Sequence, residues 1–321
     1  QAFAAYQRAL AARERNDADT ALAEANEAIR LDPTYTLAYL VKAQALYRKQ
    51  RYNESHDALD VASRRGLDSA ELFNVRGLLH HAQRNFSEAI VSFNEAVKRA
   101  PTNAVYYANR GLSYSRLDNL ESALADFNEA VRLAPQRHDF IAGRADVYYA
   151  RHDYRLALSD YNTSLRINPK SANVLTQRGW AHFRLNDRRS ALADANAALN
   201  VNANYAGGYN LRGTLFATNG EFDRAINDFS SAIRLNTSWA VAYANRGLAY
   251  YRKQDLANAE KDVNEAIRLD PRNALAHQTR GYVYQARGQR DLAIEGFRTA
   301  LQLDRTLDES RKRLQQLGVT P

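Results

Sequence analysis

One spacing constrains this chain more than any other feature, because small side chains recur every 34 positions along nearly its whole length. The positions in this column are all Gly or Ala: Ala9, Ala43, Gly77, Gly111, Ala145, Gly179, Gly213, Gly247 and Gly281. Two further columns of small residues follow in the same register, as in Ala123 and Ala130. A fixed period of this length, kept without an insertion, predicts a stack of similar structural units instead of one globular core.

Each unit carries two helical patterns that must pack against each other at the small residue. Two helices approach closely only where a side chain is almost absent at their crossing, and larger residues then fill the space around the contact. In the fourth unit these larger residues are Tyr107, Tyr114, Leu120 and Phe127. Proline cannot continue a helix. A proline closes five of the units: Pro33, Pro101, Pro135, Pro169 and Pro271.

The pattern resembles the tetratricopeptide repeat (TPR) family over about residues 2–307. The residues of the fourth unit that carry the resemblance are Tyr107, Gly111, Tyr114, Ala123, Phe127, Ala130 and Pro135. One departure is systematic, because Arg110 and its equivalents stand where the family usually has Leu. The resemblance implies an all-α fold, an α-solenoid of nine helix-turn-helix repeats. In this family the repeats wind into a right-handed superhelix whose concave groove binds partners.

The unbroken period predicts a single array over residues 1–321. The repeats are expected at residues 2–35, 36–69, 70–103, 104–137, 138–171, 172–205, 206–239, 240–273 and 274–307. A C-terminal helix at about residues 308–318 should cap the last repeat with Leu314 and Leu317, since a terminal repeat otherwise exposes its apolar side. Gly207 and Gly208 open the seventh repeat and are candidates for a flexible joint. A late start of that helix, without motion, is the favoured interpretation.

Composition narrows the classes of function. The net charge of +8 is modest for 321 residues, which makes nucleic acid a disfavoured partner. Cysteine is absent, so disulfides and Cys-ligated metals are excluded, and no cluster of His, Asp and Glu has the spacing of metal ligands. No apolar run approaches the roughly 20 residues that span a bilayer. We therefore expect no catalytic residue, cofactor, metal or membrane span in this segment. A catalytic domain joined to it and the oligomeric state stay open.

The chain begins at Gln1 and contains no Met, so it is expected to be a processed or trimmed product. A signal peptide or another domain before Gln1 would not be visible. The abundance of Ala and the preference for Arg over Lys are typical of a GC-rich bacterial genome. Periplasmic and cytoplasmic locations both stay open, and the absence of Cys, which is compatible with export, slightly favours the periplasm.

A cation stands directly before the small residue in every repeat: Arg8, Lys42, Arg76, Arg110, Arg144, Arg178, Arg212, Arg246 and Arg280. In six repeats an acid follows sixteen positions later: Glu24, Asp126, Asp160, Asp194, Asp228 and Asp262. Because a guanidinium can donate two hydrogen bonds to one carboxylate, ion pairs within repeats are favoured over a track for a polyanion. Lys42, Arg76 and Arg280 lack this acid. A column of Asn on the second helices, such as Asn128, is expected to bond the turns between repeats.

The candidate binding residues occupy first-helix positions that, by the resemblance, face the groove. They are aromatic or cationic: Tyr47, Arg48, Arg116, Tyr149, Trp180, Phe183, Arg184, Tyr251, Arg252 and Tyr282. We expect Tyr149, Trp180, Phe183 and Arg184 to form an anchor pocket, because Trp and Arg often dominate interface energies. Arg116 and Arg252 are expected to steer an acidic or polar ligand. For Tyr47 and Tyr251, simple packing between first helices is an equally favoured interpretation.

These patterns favour a non-catalytic scaffold that binds an extended peptide or a partner surface in its groove. The family's clamp for acidic C-terminal tails is absent, because Leu112, Trp180 and Leu248 stand where its Asn residues would be. Two alternatives stay open, a carbohydrate-binding module of an envelope or exopolysaccharide system and a contact surface for nucleic acid. The salt dependence of binding would distinguish these two alternatives, since binding to nucleic acid weakens steeply as the salt concentration rises. The sequence does not identify the ligand.

Overall fold

The computed structural model describes residues 1–320, and all regular secondary structure in this range is α-helical. The helices of the first five repeats are α1 (Ala2–Glu14), α2 (Ala18–Leu31), α3 (Thr36–Arg48), α4 (Tyr52–Arg64), α5 (Ala70–Ala82), α6 (Phe86–Arg99), α7 (Ala104–Arg116), α8 (Leu120–Leu133), α9 (His138–Ala150) and α10 (Tyr154–Ile167). The others are α11 (Ala172–Arg184), α12 (Arg188–Val201), α13 (Ala206–Thr218), α14 (Phe222–Leu235), α15 (Ala240–Arg252), α16 (Leu256–Leu269), α17 (Ala274–Ala286), α18 (Arg290–Leu303) and α19 (Asp308–Gln316). Over the described residues, the nine predicted helix pairs and the terminal helix are confirmed.

The helices fall into two compact units. Unit 1, Gln1–Ile167, holds α1 to α10, and unit 2, Asn168–Pro321, holds α11 to α19. Within each unit the two helices of a repeat pack together, and the second helix also packs on the first helix of the next repeat. In unit 2, α19 packs on α18, and Leu314 of α19 is fully buried. The single array over residues 1–321 stays a prediction.

The small-residue column lies where the two helices of a repeat cross. A Cβ atom added to Gly77 would lie 2.5 Å from the ring of Phe93, and one added to Gly213 would lie 2.8 Å from the ring of Phe229. Both phenylalanines are fully buried, so neither ring can move aside without opening the core. The opposing ring therefore explains why these positions hold glycine.

The turn inside each of the nine repeats contains one residue with a left-handed backbone. Their φ values lie between 59° and 80°: Asn16, Gln50, Arg84, Asp118, His152, Asn186, Gly220, Gln254 and Gly288. Seven of these residues are not glycine, although a left-handed backbone costs an L-residue about 1–2 kcal/mol. All nine repeats thus share one turn geometry, and packing of the helix pair outweighs the local cost.

The arginine column forms ion pairs within the repeats. Arg110 donates from Nε and Nη2 to the two carboxylate oxygens of Asp126 at 2.8 and 2.6 Å. The same two-pronged contact occurs in four further repeats: Arg144–Asp160, Arg178–Asp194, Arg212–Asp228 and Arg246–Asp262. Arg8 and Glu24 also pair, at 2.7 Å. The six predicted ion pairs are confirmed, and we call each one an arginine tie.

The Asn column has a different role from the predicted one. Arg110 donates from Nη1 to Asn94 Oδ1 of the preceding repeat at 2.9 Å, and Arg144 reaches Asn128 in the same way at 3.1 Å. The prediction that these Asn residues bond turns is wrong here, because the next repeat's arginine lies within reach of their side chains. Arg110 and Arg144 therefore each link the second helices of two neighbouring repeats.

Gly207 and Gly208 lie inside α13, which begins at Ala206. The favoured interpretation of a late helix start is therefore wrong. A Cβ atom on Gly207 would lie 2.8 Å from the ring of Tyr205, and one on Gly208 would lie 3.0 Å from Leu199. The two glycines make room for these neighbouring side chains.

Candidate ligand-binding surface

The first helices of successive repeats form a continuous surface within each unit. In unit 1, α1, α3, α5, α7 and α9 contact one another in sequence, and in unit 2, α11, α13, α15 and α17 do so. We call the surface that these helices share the first-helix face of the unit. Each of the ten predicted binding residues lies on one of these helices.

In unit 1, a pocket of about 500 Å³ lies between α1, α3 and α5 and is lined by Tyr47 and Arg48. Its polar groups largely bond one another. Gln44 donates to Glu71 Oε1 at 2.7 Å and accepts a hydrogen bond from Arg13 at 3.0 Å. Arg48 is exposed and donates to the Arg13 carbonyl oxygen at 3.4 Å, whereas Tyr47 is half-buried against the core of repeat two. Tyr47 therefore contributes to packing as well as to this pocket.

Arg116 of α7 and Tyr149 of α9 also belong to unit 1. Arg116 is exposed and has no hydrogen bond or ion pair within the described residues. Leu112, one turn earlier on α7, is 44% exposed. Burial, with the nearby charge of Arg116, lowers the pKa of His81. Tyr149 is half-buried, and its ring meets Tyr154 edge-on with centroids 5.3 Å apart.

Trp180, Phe183 and Arg184 lie on α11 in unit 2. The two rings meet edge-on with centroids 5.8 Å apart, and both pack against a buried cluster formed by Ala191 and Ala195 of α12 with Leu211 and Leu215 of α13. Trp180 and Phe183 are half-buried, whereas Arg184 is exposed. The structure thus brings together three of the four predicted anchor residues on one helix, and the two rings also contribute to the core of unit 2.

A second tryptophan shares a pocket with Trp180 in unit 2. The pocket has a volume of about 270 Å³, and we call it the tryptophan pocket. Its lining includes Thr176, Gln177, Trp180, Asn210, Asn236 and Trp239. Sequence reasoning missed Trp239 because it ends a repeat, directly before α15, and lies outside the first-helix positions. The chain contains only two tryptophans, and this rarity was the signal that could have found it.

Arg252 borders a larger and mainly apolar pocket of about 410 Å³ between α13 and α15, the Arg252 pocket. Apolar walls come from Ala217, Phe222 and Leu248, among others. Asn245 also lines the pocket and donates to Asn210 Oδ1 at 2.9 Å. Arg252 is exposed, and no described residue forms an ion pair with it. An unpaired cation therefore stands at the rim of an apolar pocket.

Tyr251 and Tyr282 stack on each other, with centroids 5.2 Å apart and planes 16° from parallel. Tyr282 is only 4% exposed and also packs against Phe297 and near Leu314 of α19. Burial, with a smaller effect of the Glu309 charge, raises the pKa of Tyr282 to about 12. Tyr282 therefore belongs to the core beneath the terminal helix, and we leave it out of the proposed binding surface.

Comparisons with known families agree with this geometry. A family model described as Tetratricopeptide repeat matches residues 6–62, 40–104, 176–238 and 210–274, and a second model with the same description matches residues 104–137. The chain belongs to the tetratricopeptide repeat family. A comparison with curated proteins found no match.

Several solved structures share the TPR fold. A chain of the APC/C hetero-tetramer Cut9-Hcn1 is 18% identical, with a TM-score of 0.70 over 93% of this chain and 59% of that chain. A tetratricopeptide repeat protein from Parabacteroides merdae is 21% identical, with a TM-score of 0.63 over 78% of this chain and 98% of that one. The Pseudomonas aeruginosa protein pilF is 18% identical, with a TM-score of 0.56 over 66% and 97% of the two chains. At these identities, the likeness shows the fold.

TPR arrays are generally non-catalytic scaffolds that bind protein or peptide partners. Within residues 1–320, this TPR chain has no group of three or more His, Cys, Asp or Glu side chains placed to hold a metal ion. No described helix combines the length and hydrophobicity of a bilayer-spanning segment. Unit 1 has 22 Lys and Arg against 21 Asp and Glu, whereas unit 2 has 22 against 15. The surplus positive charge of the TPR chain thus lies mostly in unit 2.

Proposed function

We propose that this chain is a non-catalytic interaction scaffold that binds an extended peptide of a partner protein on the first-helix face of unit 2. The Arg252 pocket is the observation that carries the proposal. Its volume of about 410 Å³ lies in the range of known ligand pockets, and mainly apolar walls with a few polar groups are typical of such sites. Phe222 and Leu248 would bury an apolar side chain of the peptide, while Asn245 and Arg252 would fix its orientation.

The charges of unit 2 support a ligand with acidic or polar side chains. Arg252 has no ion-pair partner within the described residues, and Arg184 is exposed on α11. An excess of positive charge raises the rate at which an anionic partner is captured. Trp180, Phe183 and Tyr251 are proposed to add aromatic contacts to the same surface.

Unit 1 is proposed to extend the interaction with contacts on its own first-helix face. Arg116 offers an unpaired cation one turn from the exposed Leu112, and Arg48 and Tyr47 line the pocket between α1, α3 and α5. Tyr149 adds a half-buried ring on α9. Truncation of these residues should weaken binding less than truncation at the Arg252 pocket, because the polar groups of the unit 1 pocket already bond one another, whereas the mainly apolar Arg252 pocket can bury a side chain of the peptide.

The arginine ties favour this proposal over a surface for nucleic acid. In five of the six tied repeats the arginine donates at least two hydrogen bonds to protein groups, and Arg8 pairs with Glu24, so the arginine column does not form a row of free cations. A protein that binds nucleic acid needs such cations on one face to contact phosphates. Neither the Arg252 pocket nor the tryptophan pocket contributes a carboxylate that could accept hydrogen bonds from sugar hydroxyls.

The test is selection of peptides from a displayed random library on the full chain, followed by affinity measurements with a matched pair of variants. Leu248→Arg places a charge in the Arg252 pocket. Leu292→Arg places the same charge on α18, a second helix, where the leucine is 42% exposed. We expect selected peptides to lose about tenfold or more of their affinity in Leu248→Arg and to keep it in Leu292→Arg.

Arg252→Ala should weaken acidic peptides several-fold while leaving thermal unfolding unchanged, because Arg252 makes no ion pair within the described structure. Failure to enrich any peptide, or equal effects of the two leucine variants, would overturn the proposal.

A further inference from the structure

The tryptophan pocket of unit 2 contains a buried hydroxyl without a partner. Thr176 is 2% exposed, and its Oγ1 makes no hydrogen bond to any described residue. A buried hydroxyl without a hydrogen bond costs about 1–3 kcal/mol, so this cost is removed if a ligand atom bonds it. Thr176 lies on α11 one turn before Trp180, in the wall of the pocket.

Most of the other polar side chains of the pocket can donate hydrogen bonds, and Gln177 can both donate and accept. Asn210 Oδ1 already accepts from Asn245, and Asn236 Oδ1 already accepts from the backbone N–H of Ser238 at 3.2 Å, which leaves the amide nitrogens of both Asn side chains available. Trp180 and Trp239 can each donate an indole N–H.

No charged side chain lines this pocket. The site therefore suits a neutral ligand that presents many acceptors and few donors, together with a flat apolar surface for the two indole rings.

We propose that the tryptophan pocket binds a proline-rich segment of the partner protein in the polyproline II conformation. The proposal rests on the proposed peptide-binding function and specifies one class of peptide. Proline has no N–H, so such a segment offers backbone carbonyl oxygens without matching donors. The polyproline II helix makes no internal hydrogen bonds, and aromatic-lined grooves recognise it through ring packing and donated hydrogen bonds.

A sugar fits this lining less well, because its hydroxyl groups donate as well as accept. The pocket lacks a carboxylate to receive those donated bonds. The predominance of donors in the lining thus favours a proline-rich segment over a sugar.

The chain provides a direct reporter for the test, because its only two tryptophans both line the pocket. Octaproline is titrated into the full chain while tryptophan fluorescence is followed. A Gly-Ser peptide of the same length and maltohexaose serve as comparison ligands. We expect a saturable change in fluorescence with octaproline and none with the other two.

Thr176→Val and Thr279→Val form a matched pair of variants. Both threonines are almost fully buried, and neither hydroxyl has a partner within the described residues, but only Thr176 lines the pocket. Thr176→Val should weaken octaproline binding about fivefold through the loss of one neutral hydrogen bond, and Thr279→Val should leave it unchanged. Trp180→Ala should weaken it tenfold or more.

A response to maltohexaose instead of octaproline would overturn the inference in favour of a sugar site. Equal effects of the two threonine variants would also overturn it. If library peptides depend on Leu248 while octaproline causes no response, the peptide-binding function stands and the proline-rich ligand is wrong.

Discussion

Repeats eight and nine carry the same Arg-Gly pair on their first helices, but the arginine side chain has different partners in the two repeats. In repeat eight, Arg246 donates from Nε and Nη2 to Asp262 at 2.6 and 2.9 Å, and from Nη1 to Ser230 of repeat seven at 2.9 Å. In repeat nine, Gly296 stands at the position of the acid. The Nε atom of Arg280 is buried there and has no partner within the described residues.

Repeat nine replaces the arginine tie with close packing of two backbones. A Cβ atom on Gly296 would lie 2.9 Å from both Cα and N of Gly281, so no side chain fits between α17 and α18 at this point. The comparison teaches that the arginine tie is not a general requirement of the fold. What an arginine contributes depends on the residue sixteen positions later.

The largest effect is expected when the tie of repeat eight loses its cation. Arg246→Leu would leave Asp262, which is 3% exposed, without its charged partner. We expect the free energy of unfolding to fall by about 3 kcal/mol or more, measured by chemical denaturation. The double variant Arg246→Leu/Asp262→Leu should recover most of this loss. A single variant as stable as the original chain would show that the tie contributes nothing.

Adding the missing acid to repeat nine should not create a tie. Gly296→Asp would push a Cβ atom into the backbone of Gly281, and we expect a loss of about 2 kcal/mol in chemical denaturation. Glu295→Asp, at an exposed neighbouring position on α18, is the control for a change of side chain alone. A gain in stability would mean that Arg280 pairs with the new carboxylate and that the two repeats differ less than the structure indicates.

Removal of the untied arginine should have a much smaller effect. Arg280→Leu deletes a buried guanidinium nitrogen that has no partner within the described structure. We expect the unfolding free energy to change by less than about 1 kcal/mol, in either direction. A loss as large as that of Arg246→Leu would contradict the contrast between repeats eight and nine.

Repeat three also lacks the acid, with Ser92 in its place, and it carries His80 instead of the usual core aromatic residue. Burial, followed by the charge of His56, lowers the pKa of His80, and the charge of Glu88 opposes this shift only in part. In the unfolded chain, His80 therefore takes up a proton at a higher pH than it does in the folded chain. The contribution of His80 to stability is complete above the ordinary His pKa of about 6.5 and declines as the pH falls below it.

The pH dependence is the smallest of these expected effects. Thermal unfolding midpoints measured between neutral and mildly acidic pH should fall less in His80→Phe than in the original chain. If the unfolding midpoints of the two proteins fall equally with pH, protonation of His80 does not contribute to the pH dependence of stability.

Much of the fold could be predicted from the sequence because the repeats constrain one another. The same sixteen-residue spacing places Gly77 against Phe93 in repeat three and Arg110 against Asp126 in repeat four, so both contacts follow from the helix-pair geometry that the repeats share. Contacts that depend on the packing of neighbouring repeats could not be read in this way. Asn94 bonds the arginine of the next repeat, a contact that follows only once the two second helices are positioned.

The candidate binding residues were harder to predict, because their exposure also depends on the packing of neighbouring helices. Tyr282 occupies a first-helix position typical of groove residues, but the docking of α19 leaves it only 4% exposed. Trp239 lies in a turn and approaches Trp180 only through the packing of repeats six and seven. The positions of the first helices were predictable from the period, whereas the exposure of each side chain depends on three-dimensional packing.

Amide hydrogen exchange of the full chain, with and without a saturating library-selected peptide, tests the central claim most directly. The account predicts slower exchange in α11, α13 and α15, whose first-helix face would be covered, and little change in α12, α14 and α16. Protection confined to the second helices would contradict the proposal that the first-helix face of unit 2 binds the partner.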